Sequence, residues 1–179
     1  MKALAQLTPY NRAEIKTLQI DYRRFKEIFR SLSGFKVLIA ELGSETDFLA
    51  MTGRFDLLDD FVGTLREQFD SPVFVATHHA GSTIPILDNN NVKFDGYLTP
   101  FNKLGVMMFP SKETAIKMIK RTKKPVIAIK PLAGGRIQPM KAFKYIYQEQ
   151  KISACIVGVG SENELDEDFQ VVQQVLTAR

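Results

Sequence analysis

Three side chains that could carry out acid–base or covalent chemistry each lie at the end of a short apolar run. They are Glu41, His78 and Lys130, and we predict them as the catalytic residues. A lysine at the end of a buried strand can act as a Schiff-base nucleophile when it is desolvated, or it can bind an anion. The least demanding alternative is that Lys130 pairs with the Glu41 carboxylate.

The loop after Lys130 is rich in glycine and contains a further cation. Gly134 and Gly135 lack a side chain, so the backbone can approach a ligand closely there, although the two glycines could also only turn the chain. Arg136 follows directly, and Asn102 follows a different apolar run. We predict that these four residues contribute to a ligand site.

A second glycine-rich loop directly precedes a helix. Gly158, Gly160 and Ser161 come just before a helical pattern that begins at Glu162. Backbone N–H groups at such a helix start can hold a phosphate. The alternative is an ordinary capping box, in which Ser161 caps the helix and Glu164 reaches back to the loop.

The two histidines of the chain are adjacent and could contribute to a metal site with Glu41 or Asp47. Adjacent residues of a strand point to opposite faces, so only one of His78 and His79 reaches a common site without a bulge. We therefore expect no metal site.

The order of apolar runs and turn signals predicts about six βα units without a linker between them. The helix-spaced patterns and their caps alternate with the predicted strands along the whole chain. The predicted strands are Ala13–Ile20, Phe35–Leu42, Pro72–Thr77, Phe94–Thr99, Val126–Ile129 and Ser153–Val159. The predicted helices are Asp21–Leu32, Phe55–Phe69, Thr83–Asp88, Ser111–Thr122, Met140–Gln150 and Glu162–Leu176.

This alternation is typical of an open doubly wound sheet or of a (β/α)₈ barrel, for which about 250 residues are usual. Candidate residues follow several successive strands, as the loops around one barrel mouth would require. We therefore predict a single domain over residues 1–179, a parallel (β/α) barrel of TIM type that is shortened at its N-terminus. By strand alternation, Lys130 and Ala128 would face the barrel interior, whereas Ile127 and Ile129 would face the helices.

Composition fits a water-soluble domain with one core, since 45% of the 179 residues are hydrophobic and 25% are charged. The excess of positive charge lies mainly within residues 117–124, at the end of a predicted helix, where cations complement the helix dipole. We therefore expect no nucleic-acid partner. A lone Cys155 and the lack of a long apolar run predict a cytoplasmic protein without a membrane segment.

Four segments resemble strands five to eight of the aldo/keto reductase superfamily and the loops that follow them. In order along the chain they are VATHHAG, PFNKLG, IAIKPLAGGRI and CIVGVGSENELDEDF. The resemblance implies a TIM barrel and suggests NADP as the cofactor. It also implies that three cofactor contacts of that family are replaced here, the carboxamide-binding glutamine by Leu98, the stacking tyrosine by Ile129 and the phosphate-binding basic residue by Gly160. The cofactor is thus left unassigned, and NADP is disfavoured.

The catalytic tetrad of the reductases belongs to strands two to four of their barrel. By the same resemblance, strand four corresponds to Phe35–Leu42, which carries Glu41 and no histidine. We therefore expect an aldo/keto reductase-like barrel without the tetrad that binds a small anionic or phosphate-bearing metabolite. The alternatives are a non-catalytic barrel subunit and a Schiff-base lyase that uses Lys130.

A barrel of six strands would leave two unpaired edges and an open interior. The segment Met1–Thr17 could fold across this gap, but Met1–Tyr10 is short and only modestly apolar, so it is a poor cover. We therefore expect either a homo-oligomer or a missing N-terminal barrel segment.

Overall fold

The computed structural model describes residues 11–32, 34–43, 45–148 and 152–177, and it contains one five-stranded sheet. The strands pair in sequence order and all neighbours are parallel, which confirms the predicted parallel α/β fold. The strands are β1 Ala40–Leu42, β2 Val73–Ala76, β3 Gly96–Pro100, β4 Val126–Ile129 and β5 Ile152–Ile156. The helices are α1 Arg12–Thr17, α2 Tyr22–Ser31, α3 Glu45–Thr52, α4 Phe55–Phe69, α5 Ala80–Asp88, α6 Lys112–Arg121, α7 Pro139–Gln148 and α8 Glu162–Thr177.

The two faces of the sheet belong to different apolar clusters. On the face toward the helices, Val75, Tyr97 and Ala128 belong to the main core together with residues of α3 to α7. The opposite face carries a smaller cluster, which contains Phe74, Ala76, Leu98 and Ile127 with Ile129 packed against it. This second face is the inner surface of the curved sheet, and we call it the inner face.

The predicted orientation of β4 is wrong. Ile127 and Ile129 lie on the inner face, whereas Ala128 is fully buried in the core beneath the helices. A small residue suits that position because the helices pack closely there. Lys130 has a φ of +56°, so strand alternation no longer determines the direction of its side chain.

The strand predicted at Ala13–Ile20 is also wrong, because α1 occupies most of that segment. Asn11 accepts hydrogen bonds from the N–H groups of Ala13 and Glu14, and the Glu14 carboxylate accepts the N–H of Asn11 in return. This capping box fixes a helix where the apolar residues alone suggested a strand. The described residues therefore hold five strands rather than six.

The first strand is shorter than predicted, and a helix that the sequence analysis missed follows it. Only Ala40–Leu42 pairs with β2, whereas Phe35 and Leu38 are each 74% exposed. Helix α3 then begins at Glu45, with acidic residues in its first turn that complement the helix dipole. Among the described helices, none is both long and apolar enough to cross a membrane.

We propose that the isolated chain associates with itself. Within the part of the chain that the structure describes, β1 pairs only with β2 and β5 only with β4, so two parallel edges are open. Apolar side chains are exposed beside both edges, including Leu38 and Ile156, which is 52% exposed. Unpaired edges and exposed apolar surface both favour association.

Size-exclusion chromatography with light scattering tests this prediction. We expect a mass that rises with protein concentration, and a lower mass for the variant in which Leu38 and Ile156 are both replaced by Lys. A monomer at all concentrations with a cooperative melt would show instead that the chain covers its own edges.

Candidate functional site

The loops that follow strands β2 to β5 surround one end of the sheet, and we call this end the mouth. Ala76 of β2 is in register with Leu98 of β3, and Pro100 is in register with Ile129 of β4. His78 lies two residues beyond Ala76, so it stands at the level of Pro100 and Ile129.

A carboxylate on the helix-covered side of the sheet fixes the start of the loop after β2. Asp47 of α3 accepts hydrogen bonds from the hydroxyl groups of Thr77 and Thr83, the latter at 2.6 Å, and from the N–H of His78 at 3.0 Å. The Thr77 hydroxyl in turn accepts the N–H of His79. These bonds hold Thr77 toward α3 and α5 and fix the backbone of His78 at the start of the loop.

The pKa of His78 is lowered partly by the charge of Lys130. These two residues follow β2 and β4, which are both neighbours of β3 and not of each other. Burial lowers the pKa of His78 most, the Lys130 ammonium and His79 lower it further, and Asp47 opposes them. The imidazole is therefore neutral near pH 7. Its buried Nε2 atom has no hydrogen-bond partner among the described residues.

A cavity of about 480 Å³ lies at the mouth between the ends of β4 and β5. Lys130 and Arg136 line it, together with Gly134 and Gly158. The other lining residues are apolar, namely Val106, Met107, Ile129, Pro131, Leu132, Ile156 and Val157. Among the described residues that form its wall, none is acidic.

Backbone strain is concentrated around this cavity. Of the five described non-glycine residues with positive φ, Met107 and Lys130 line it and Ala133 lies in the loop between Lys130 and Gly134. Gly134 and Gly135 also have positive φ. Positive φ in residues with a side chain is costly and such residues cluster at functional sites, so the loop conformation favours a binding role.

Arg136 folds back over this loop. Its Nη1 atom donates a hydrogen bond to the carbonyl oxygen of Ala133 at 2.7 Å. A Cβ atom added at Gly134 would lie 3.1 Å from the same nitrogen, so the missing side chain makes room for the guanidinium. This bond orients Arg136 at the cavity and leaves its other N–H groups for a ligand.

The loop before α8 is close to the capping box that was the alternative to a phosphate site, except that Glu164 accepts the N–H of Gly160 rather than that of Ser161. The N–H of Gly160 donates to the Glu164 carboxylate at 2.7 Å, and the N–H of Glu164 donates to the Ser161 hydroxyl at 3.2 Å. A phosphate at Gly160 and Ser161 would first have to displace that carboxylate. Gly158 takes no part in these two hydrogen bonds, and it lines the cavity.

The remaining predicted site residues lie apart from the cavity. Asn102 is fully buried, and its side-chain amide makes two hydrogen bonds to the backbone of Val106, which hold the loop that forms one cavity wall. Glu41 is in register with Phe74, four residues before His78, or about 13 Å nearer the other end of the sheet. Within the described residues Lys130 makes no ion pair with Glu41, and no group of three metal-ligating side chains is present.

Two parts of the site were missed by the sequence analysis. Asp47 was considered only as a metal ligand, although it anchors the loop after β2. Met107 forms part of the cavity wall because Asn102 holds the preceding residue, Val106, in place. Asp47 lies 30 residues before Thr77 in the sequence, so its role can be recognised only once the packing of α3 is known.

A larger cavity, of about 680 Å³, lies at the opposite end of the sheet. Its wall includes Lys93, Lys123 and Lys124, and the Lys124 ammonium donates to the carbonyl of Phe94 and lies over the Phe94 ring. In barrels the strand carboxyl ends carry the active site and the opposite end serves stability. The mouth is therefore the better candidate.

The chain was compared with family models, curated proteins and solved structures, and only solved structures resemble it. No family model matches the chain, and no curated protein matches it. A structure named as an aldo-keto reductase from Pseudomonas aeruginosa superimposes with a TM-score of 0.61 over 94% of this chain, at 14% sequence identity. The holo form of an aldo-keto reductase from Bacillus halodurans gives a TM-score of 0.60 over 91% of the chain, at 12% identity.

The fold is aldo-keto reductase-like. The predicted resemblance is thus confirmed for the fold, and identities this low show the fold alone. The chain spans 60% and 62% of the length of these two structures. A shortened aldo-keto reductase-like barrel is consistent with this coverage and with the five described strands.

Proposed function

We propose that this chain binds a small anionic or phosphate-bearing metabolite in the cavity at the mouth. The observation that carries the proposal is the pairing of two cations, Lys130 and Arg136, on a wall whose described residues include no carboxylate. The Lys130 side chain makes no hydrogen bond or ion pair with the described residues, so its ammonium is available to a ligand. Neighbouring Gly134 and Gly158 leave the backbone open to close approach.

The size and the chemistry of the cavity agree with a small ligand. A volume of about 480 Å³ lies within the range of small-molecule sites. Apolar residues form most of the wall, and Lys130 and Arg136 are its charged groups, which is the usual composition of such sites. Lys130 is exposed rather than buried, which favours electrostatic binding over the Schiff-base alternative, because a nucleophilic lysine is usually desolvated.

Titration calorimetry with sulfate tests the proposal. Replacing either Lys130 or Arg136 by Met should weaken sulfate binding about tenfold, since a hydrogen bond between charged groups is worth about 1.5 kcal/mol or more. The matched control is Lys117→Met, which removes an exposed cation from α6. An equal loss of sulfate affinity in all three variants would show that sulfate responds only to the overall charge, and it would reject the site.

We expect NADPH to bind weakly, and we propose that the chain does not perform hydride transfer with the reductase tetrad. Leu98 is buried in the inner-face cluster and offers no hydrogen bond to a carboxamide. Ile129 offers no ring for stacking, and the Gly160 N–H is already bonded to Glu164. Fluorescence titration should show no saturation at micromolar NADPH, and micromolar affinity would contradict this prediction.

A further inference from the structure

We propose that the ligand of the mouth is an organic anion with a hydrocarbon body, such as an aliphatic carboxylate, rather than a sugar phosphate. The proposal rests on the proposed function, because it concerns the same cavity and the same two cations. It adds the chemical class of the part of the ligand that lies beyond the anionic group.

Two strand ends supply an apolar surface in the cavity that holds the cations. Ile129 of β4 and Ile156 of β5 are in register on neighbouring strands, and both line the cavity. Lys130 follows Ile129 directly and lines the same cavity. A ligand whose anionic group is held by the Lys130 ammonium therefore has apolar surface within reach of its remaining atoms.

The loop after β3 adds apolar wall that is fixed by hydrogen bonds. The Asn102 amide donates to the carbonyl of Val106 at 3.0 Å, and its oxygen accepts the Val106 N–H at 2.9 Å. Met107 follows with a φ of +59°, and both Val106 and Met107 line the cavity. A ligand does not have to order this wall when it binds, which favours affinity.

Apolar side chains of the cavity are exposed to water. Ile156 is 52% exposed and Met107 is 39% exposed. Removing apolar surface from water is favourable in proportion to the area that is covered. A hydrocarbon that lies against these side chains therefore gains affinity that a bare inorganic anion does not have.

The same wall suits a hydroxyl-rich ligand poorly. Among the described lining residues, the polar side chains are those of Lys130 and Arg136, and both of them only donate hydrogen bonds. In the loop after β4, the carbonyls of Lys130 and Leu132 already accept backbone N–H groups, and that of Ala133 accepts the Arg136 guanidinium. Sugar hydroxyls placed here would give up hydrogen bonds to water without replacing them, which is unfavourable.

Calorimetry with a series of carboxylates at neutral pH tests the proposal. The affinity of the wild type should rise about tenfold from acetate to butyrate and about tenfold again to hexanoate, because the added methylene groups cover apolar wall. Gluconate has the chain length and charge of hexanoate but carries a hydroxyl group on every carbon beyond the carboxylate. It should bind about tenfold more weakly than hexanoate. Sulfate should displace hexanoate, since both need Lys130 and Arg136.

Matched methionine variants test whether the hydrocarbon lies in the cavity. Met107→Gln makes the wall polar at nearly the same side-chain length, and it should lower the ratio of hexanoate affinity to sulfate affinity about threefold. The control is Met51→Gln, because Met51 is an exposed methionine of α3 that does not line the cavity. This control should keep the ratio of the wild type.

The outcomes separate this inference from the proposed function. Absence of sulfate binding by the wild type would reject the proposed function, and this inference with it. Sulfate binding together with equal affinities for acetate, hexanoate and gluconate would overturn this inference alone. Hexanoate binding that sulfate does not displace, or an equal change in the two methionine variants, would overturn it as well.

Discussion

Replacing Asp47 by Ala should destabilise the fold by about 3 kcal/mol. The carboxylate accepts hydrogen bonds from two hydroxyl groups and one backbone N–H, and it joins α3 to the corner between β2 and α5. The substitution would leave those donors without their charged acceptor, and burial makes unpaired donors costly. Thr83 is fully buried, so water cannot easily replace the lost acceptor.

Urea denaturation followed by circular dichroism measures this effect. The control is Asp60→Ala, which removes an exposed carboxylate from α4 and should change the free energy of unfolding little. Equal stability of the two variants would contradict the role of Asp47 as an anchor. A loss confined to Asp47→Ala would confirm that the loop bearing His78 is held from behind the sheet.

Replacing Gly96 by Ala should destabilise the fold by about 2 kcal/mol. The Phe74 ring of the neighbouring strand lies over Gly96, and an added Cβ atom would stand 2.2 Å from its Cε1 atom. Phe74 is a buried member of the inner-face cluster, so it cannot move aside without disturbing Ala76 and Leu98. The glycine is thus required by packing rather than by its backbone conformation.

Gly63→Ala is the matched control for this substitution. Gly63 lies within α4, and an added Cβ atom would meet nothing within 4 Å. Alanine has the higher helix propensity, so this variant should gain up to about 1 kcal/mol. Opposite changes in the denaturation midpoints of the two variants support the packing of the inner face, whereas a neutral Gly96→Ala would contradict it.

The alternation of strands and helices could be predicted from the sequence because its signals are local. The run around Val73–Ala76 is apolar on both faces, and Ser111 caps α6 as its position predicts, with its hydroxyl accepting the N–H of Thr114. The extent of β1 could not be predicted in this way. Residues 35–39 have the composition of a strand, but pairing is limited to the three residues that meet β2.

The candidate site was less predictable than the fold because it depends on register across several strands. Lys130, Gly134, Arg136 and Gly158 were identified by their positions after strands, and the structure brings them to one cavity. Strand alternation gave the wrong face for β4, so it could not place the residues that follow this strand. The positive φ of Lys130 is a property of the folded loop that its residue type does not suggest.

Amide chemical-shift mapping with sulfate tests the central claim, that an anion site lies at the mouth, most directly. On a uniformly ¹⁵N-labelled chain, we predict that the largest saturating shifts fall on Lys130, Gly134, Arg136 and Gly158. Shifts concentrated on Lys93 and Lys123 at the opposite end of the sheet, or small and non-saturating shifts throughout the chain, would contradict it.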